Sequence, residues 1–256
     1  MNHPGNAPKL YFIAHRMNVG SPTNDCYNHV DNGMEALDAV VRIAGANNDT
    51  GLIKGFECDV RLTCDNKLVI IHDANTKTMT INKLNRNVGE MTYEALRRVE
   101  IRNSGLYYKG LRNRAFFLPD AKRVRRIIGQ RLCGCTEVPE ANDMFEHLVA
   151  NAYKGEIVLE LKETADRSRD AVVELVNAYK DRLNIVVKSY NEQQTLYIGE
   201  KTGVKIGLLE AVRLVNQRKP IDAEYIKTMP FDFYSILWTK VGTKILNALI
   251  EGEKDL

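Results

Sequence analysis

Short apolar runs alternate along this chain with longer stretches in which apolar residues recur at helical spacing. The runs at 10–14, 55–60, 68–71, 156–161, 185–187 and 204–209 predict buried parallel strands, since a strand covered on both faces needs no polar alternation. Between them, residues 33–46 place Met34, Leu37, Val40 and Val41 on one helical face, and 144–153 and 171–179 repeat the pattern. Asp143, with Glu146 three residues on, predicts the start of the second of these helices. Strands alternating with helices, without a Gly-x-Gly-x-x-Gly after the first strand, favour a (β/α) barrel over a dinucleotide-binding sheet. At 256 residues the chain suits one such domain, 1–256, whose chemistry would gather at the C-terminal ends of the strands.

Those ends carry charge. Glu57-Cys58-Asp59, His72 with Asp73, Glu160-Leu161-Lys162 and His15-Arg16 each close an apolar run. In an extended strand residues i and i+2 share a face, so Glu57 and Asp59 can meet one cation and Glu160 and Lys162 can converge on the same place, with Cys58 turned away. Acids, cations and two imidazoles together read as a metal-assisted phosphoryl site. Asp73 has two readings, orienting His72 or capping the next turn.

The hydrophobic fraction of 44% is ordinary. No apolar stretch approaches a membrane span, and Met1-Asn-His-Pro-Gly5 lacks the features of a secretory signal, so the expected address is cytoplasmic. Five cysteines without a C-x-x-C pair predict reduced thiols. The formal charge of +3 hides an uneven distribution: residues 97–131 hold eleven Lys or Arg against Glu100 and Asp120. This basic insertion has two readings, a contact for an anionic membrane surface and a solvated insertion, and its lack of a clean amphipathic period favours the second. No nucleic-acid reader accompanies it, so no nucleic-acid partner is expected. Oligomeric state is not legible.

In order along the chain, Ile13-Ala-His-Arg16, Phe56-Glu-Cys-Asp-Val-Arg-Leu-Thr63, Leu68-Val-Ile-Ile-His-Asp73, Val88-Gly-Glu-Met-Thr-Tyr-Glu-Ala-Leu96, Val138-Pro139 and Leu159-Glu-Leu-Lys162 resemble the glycerophosphodiester phosphodiesterase family. Lys188-Ser189-Tyr190 resembles the Ser-Phe ending of a later family strand. The resemblance implies a (β/α)8, TIM-barrel-like single domain and hydrolysis of glycerophosphodiesters to an alcohol and glycerol 3-phosphate, with the glycerol 2-hydroxyl as a first nucleophile. It departs from the family in three places. Met17 stands where the family carries Gly, which implies altered loop geometry and head-group fit; Thr23 stands where it carries Glu; and Trp238-Thr239 arrives so near Leu256 that the usual final strand is expected to be missing.

Charge then suggests roles. Glu57, Asp59 and Glu160 are the expected ligands of one divalent cation, Mg²⁺ or Ca²⁺, because a set of carboxylates suits a hard ion. Arg16 and Lys162 are expected on the substrate phosphate, and His15 and His72 in proton transfer, one as acid and the other as base. The substrate is expected to be a small phosphodiester or lysolipid. Two other readings of the same residues are a phospholipase D- or lysophospholipase D-like barrel enzyme and a catalytically idle barrel that binds a phosphate ligand or a partner.

Overall fold

The computed structural model describes residues 12–17, 30–46, 53–78, 84–99, 101, 137–209, 223–235 and 243–254. Seven strands form one sheet: β1 (Phe12–Ala14), β2 (Ile53–Leu62), β3 (Leu68–Ile70), β4 (Glu156–Leu161), β5 (Asn184–Ser189), β6 (Ile206–Leu209) and β7 (Phe233–Ser235). The path β1-β2-β4-β5-β6-β7 is parallel throughout, and the sheet curls into a half-barrel. Among the described residues no pairing joins β1 to β7.

The expectation of a parallel strand at 68–71 is corrected. β3 lies off the main path and pairs antiparallel with β2, Val60 opposite Ile70 and Leu62 opposite Leu68. Only residues 63–67 separate the two strands, whereas a parallel return needs a crossover of a dozen or more residues. The turn is held by the Thr63 amide donating to the Lys67 carbonyl at 2.9 Å, by the Thr63 hydroxyl donating to Asp65 at 2.6 Å, and by Asn66 at φ 61°, a conformation asparagine tolerates better than most residues.

Seven α-helices accompany the sheet among the described residues: α1 (Met34–Ala46), α2 (Tyr93–Arg97), α3 (Ala141–Ala150), α4 (Asp166–Tyr179), α5 (Glu192–Thr202), α6 (Ala223–Thr228) and α7 (Thr243–Glu251). The three expected helices are α1, α3 and α4. The start of α3 is corrected: its N-cap is Glu140, and Asp143 lies inside the first turn, where its charge faces the positive end of the helix dipole. α5 opens on Asn191, whose side chain accepts from the Gln194 amide, and stops at Gly203, φ 72°.

The main core explains how the site is presented. Phe56, Cys58 and Val60 of β2, Ile157, Leu159 and Leu161 of β4, and Ile185 and Val187 of β5 pack against Leu37 and Val40 of α1, Met144, Phe145 and Leu148 of α3, and Val172 and Val176 of α4. Each large apolar side chain so buried contributes about 1.5–3 kcal/mol. Because strand side chains alternate between faces, the same packing turns Glu57, Asp59, Glu160 and Lys188 to the opposite side of the sheet. The close approach of β2 and β4 requires Gly55, where a Cβ would collide with the Glu156 backbone. No helix among the described residues is long and apolar enough to cross a membrane. Most of the basic stretch 97–131 lies outside the described residues, as do Thr23 and Trp238-Thr239.

Candidate active site

Strand register assembles the charged cluster. Asp59 of β2 is opposite Glu160 of β4, and Glu160 is opposite Lys188 of β5, so an acid, an acid and a cation stand in one row across three neighbouring strands, about 4.8 Å apart. Glu57 lies one pleat earlier on the same face. All three carboxylates are buried, and one oxygen from each lies within 4.8 Å of the others.

Two lysines run through the cluster. Lys162 Nζ is 2.9 Å from Asp59 Oδ1 and in closer contact with Glu160 Oε1. Lys188 Nζ is 3.1 Å from Glu160 Oε2 and 3.4 Å from Glu57 Oε1. At the mouth, the half-exposed Tyr190 ring lies 5.6 Å from Lys162 Nζ.

His15 and Arg16 follow β1 in a short turn in which Arg16 (φ 53°) and Met17 (φ 60°) are both left-handed. Such backbone costs a non-glycine residue about 1–2 kcal/mol, and its surroundings offset that cost. The Arg16 amide donates to Glu57 Oε2 at 2.9 Å, the Arg16 carbonyl accepts from the Asn32 amide at 2.9 Å, and the Met17 side chain is fully buried in the main core. Met17 thus adopts a left-handed φ that a glycine would favour, and the loop that follows it lies outside the described residues. Arg16 reaches Asp59 Oδ2 through Nε at 3.6 Å and Asp31 Oδ2 through Nη1 at 3.5 Å. Asn32 donates from Nδ2 to Asp59 Oδ2 at 2.8 Å. The exposed His15 ring places Nε2 3.9 Å from Glu57 Oε2.

His72 follows β3. The amide of the preceding Ile71 donates to the Asp59 carbonyl at 2.8 Å, and the His72 carbonyl accepts from Arg61 Nε at 2.9 Å. Its Nδ1 is 2.6 Å from Asp73 Oδ1, the orienting contact of the two readings of Asp73. Arg61 in turn faces Glu163 at 3.9 Å, whose carboxylate accepts from the Ser168 hydroxyl at 2.6 Å. Of the seven residues expected in the site, Glu57 and Asp59 lie within β2 and Glu160 within β4, while His15 and Arg16 follow β1, Lys162 follows β4 and His72 follows β3.

The electrostatics are uneven. Burial, reinforced by the charge of Asp59, pushes Glu57 up to about 7. Burial also works against Asp59 and Glu160, but Lys162 and Asn32 hold the first below its usual range, and Lys188 and Lys162 hold the second below its own. Desolvation opposes the charge of both lysines, yet the flanking carboxylates hold them above the ordinary lysine value. Although the His15 ring is exposed at its edge, desolvation by the neighbouring cluster, and then the charge of Arg16, lower its pKa. Cys58 points into the core, where burial pushes its thiol up.

Three carboxylates converging without a soft donor fit a hard divalent cation. Two of their oxygens, Glu57 Oε1 and Asp59 Oδ1, touch lysine ammoniums but accept no hydrogen bond of good geometry, which leaves lone pairs for such an ion.

Lys188 and Asn32 were not among the expected site residues. A lysine ending the apolar run Ile185-Val-Val-Lys188 was a readable signal. Asn32 sits between elements, and only its bonds to Asp59 reveal it.

The profile of the glycerophosphoryl diester phosphodiesterase family matches residues 49–232. Among curated proteins there is no significant match. Solved structures share the fold at low identity. A Silicibacter pomeroyi DSS-3 protein named for the same diesterase activity is 15% identical with a TM-score of 0.69, over 97% of this chain and 82% of its own. A glycerophosphodiester phosphodiesterase from Agrobacterium tumefaciens is 17% identical with a TM-score of 0.58, over 96% and 84%. An Oleispira antarctica phosphodiesterase, solved with the product sn-glycerol-3-phosphate, is 16% identical with a TM-score of 0.58, over 96% and 81%.

Proposed function

The chain belongs to the glycerophosphoryl diester phosphodiesterase family, and from that membership we propose that it hydrolyses glycerophosphodiesters to glycerol 3-phosphate and an alcohol with the help of one divalent cation, Mg²⁺ or Ca²⁺. The observation that carries this reading is the convergence of Glu57, Asp59 and Glu160, buried and with oxygens within 4.8 Å of one another, beside two histidines and an arginine. When bound by these carboxylates, the cation supplies Lewis-acid stabilisation of the charge that gathers on the nonbridging phosphate oxygens.

The chain's own residues do the rest. Lys162, next to the cluster and beneath the exposed Tyr190 ring, and Arg16, at its rim, bind the phosphate; the first acts as a compact charge and the second as a fork of donors. His15 is exposed and has a lowered pKa, so its ring is neutral near pH 7 and takes the proton of the attacking glycerol 2-hydroxyl, giving a cyclic phosphate that water then opens to glycerol 3-phosphate. His72 is fixed through Nδ1 by Asp73, which leaves Nε2 to deliver a proton to the departing alkoxide. The product of the Oleispira antarctica phosphodiesterase, sn-glycerol-3-phosphate, is the product assigned to this site.

Incubation with a panel of glycerophosphodiesters and lysolipids, with and without added Mg²⁺ or Ca²⁺, followed by phosphorus NMR, tests the proposal. Metal-stimulated release of glycerol 3-phosphate is expected. Absence of hydrolysis across the panel overturns it, and cleavage confined to lysolipids transfers the site to the lysophospholipase D reading.

A further inference from the structure

Lys188 has no part in the chemistry above, yet it stands inside the acidic cluster. It enters from β5 opposite Glu160 and bridges Glu160 Oε2 at 3.1 Å and Glu57 Oε1 at 3.4 Å, with its side chain 9% exposed. Lys162 bridges Asp59 and Glu160 in a similar way, but in the proposed reaction it has a phosphate to turn to. Among the described residues Lys188 forms ion pairs with the two glutamates only. Buried carboxylates without a counter-charge are costly, so a chain that folds before it meets a metal needs a cation of its own here. The carboxylates that satisfy this need, Glu57 and Glu160, are ones whose oxygens a divalent ion would draw to about 2.0–2.6 Å.

We propose that Lys188 is a resident counter-cation of Glu57 and Glu160, which a divalent ion must displace, so that this one side chain sets how tightly the site takes its metal. The inference rests on the metal-assisted reading of the cluster.

Calorimetric titration with Ca²⁺ alone and Mg²⁺ alone, on wild type, Lys188→Met and Glu160→Gln, tests it. Lys188→Met should bind the ion about 10-fold tighter or better, because a like charge has left the ion's neighbourhood, and its metal-free form should melt below wild type. Glu160→Gln should bind more weakly. If Glu160→Gln weakens binding and Lys188→Met does not strengthen it, the role of Lys188 is overturned while the carboxylate site stands. If none of the three proteins binds either ion, the cation site falls and this inference with it. Because Lys188→Met can fail to fold, the wild type supplies a second measurement: acetylation of Lys188 by acetic anhydride, followed by mass spectrometry, should speed up when Ca²⁺ is added and the ammonium is expelled. A rate indifferent to Ca²⁺ overturns the proposal.

Discussion

Replacing Lys162 by methionine separates the two things its ammonium can do: hold the metal-free cluster together and bind the substrate phosphate. The side chain is 7% exposed and pairs with both Asp59 and Glu160. Methionine keeps most of the stem and removes the charge. Breaking a buried ion pair costs about 3–5 kcal/mol because it strands the partner. Here neither partner is stranded fully, since Asp59 keeps Arg16 and Asn32 and Glu160 keeps Lys188. The cost should therefore fall near the lower end, about 3 kcal/mol, or roughly 6–12 °C in the melting temperature of a domain this size. A divalent ion replaces the missing charge, so it should restore most of that loss and raise the melting temperature of the variant more than that of the wild type. Turnover behaves differently: if Lys162 stabilises the phosphate, activity at saturating metal should stay about 10²- to 10³-fold down. Scanning calorimetry in chelator and in excess Ca²⁺, paired with steady-state kinetics, reads both quantities. Recovery of stability and turnover together refutes the phosphate role and leaves a structural salt bridge. An unchanged melting temperature in chelator refutes the energetic argument itself.

His15→Ala and His72→Ala should each lower turnover by about 10²- to 10⁴-fold, and with His15 exposed its replacement should leave the melting temperature nearly unchanged; wild-type turnover in either purified variant removes that residue from proton transfer. Glu57 gives a pH signature: its folded value of about 7 exceeds the usual 4.5, so its contribution to metal-free stability is full below about pH 4.5 and is lost as pH rises through 7, an effect of about 3 kcal/mol at most. Asp59 and Glu160 are shifted downward and lose their contributions only in more acidic solution. Melting curves in chelator from pH 4.5 to 8 should therefore show wild type losing stability relative to Glu57→Gln, and parallel curves would contradict the shift.

The parts of the site that a single strand controls were legible in the sequence. Glu57 and Asp59 share a face because strand side chains alternate, and Glu160 and Lys162 follow the same rule one strand away. What joins the pairs is register: nothing local dictates that Asp59 stands opposite Glu160 or Glu160 opposite Lys188, and it is this row that turns Lys188 from a strand-end cation into a member of the cluster. The apolar run of β3 fits a buried strand of either direction, and its direction is set by the short turn with Asn66 left-handed. β7 is three residues long, too short to show a period. α5, Glu-Gln-Gln-Thr-Leu-Tyr-Ile-Gly-Glu-Lys-Thr, carries too few apolar residues to mark a face. The left-handed turn at Arg16 and Met17 depends on contacts with Glu57 and Asn32, partners far along the chain.

The most direct test of a metal-assisted diesterase site is the position of the ion itself. A crystal of the wild-type protein soaked in Ca²⁺ should show an ion within about 2.6 Å of oxygens from at least two of Glu57, Asp59 and Glu160, with Lys188 withdrawn from the glutamates. An ion bound elsewhere, or no ion among these carboxylates while the soaked protein still cleaves glycerophosphodiesters, would contradict it.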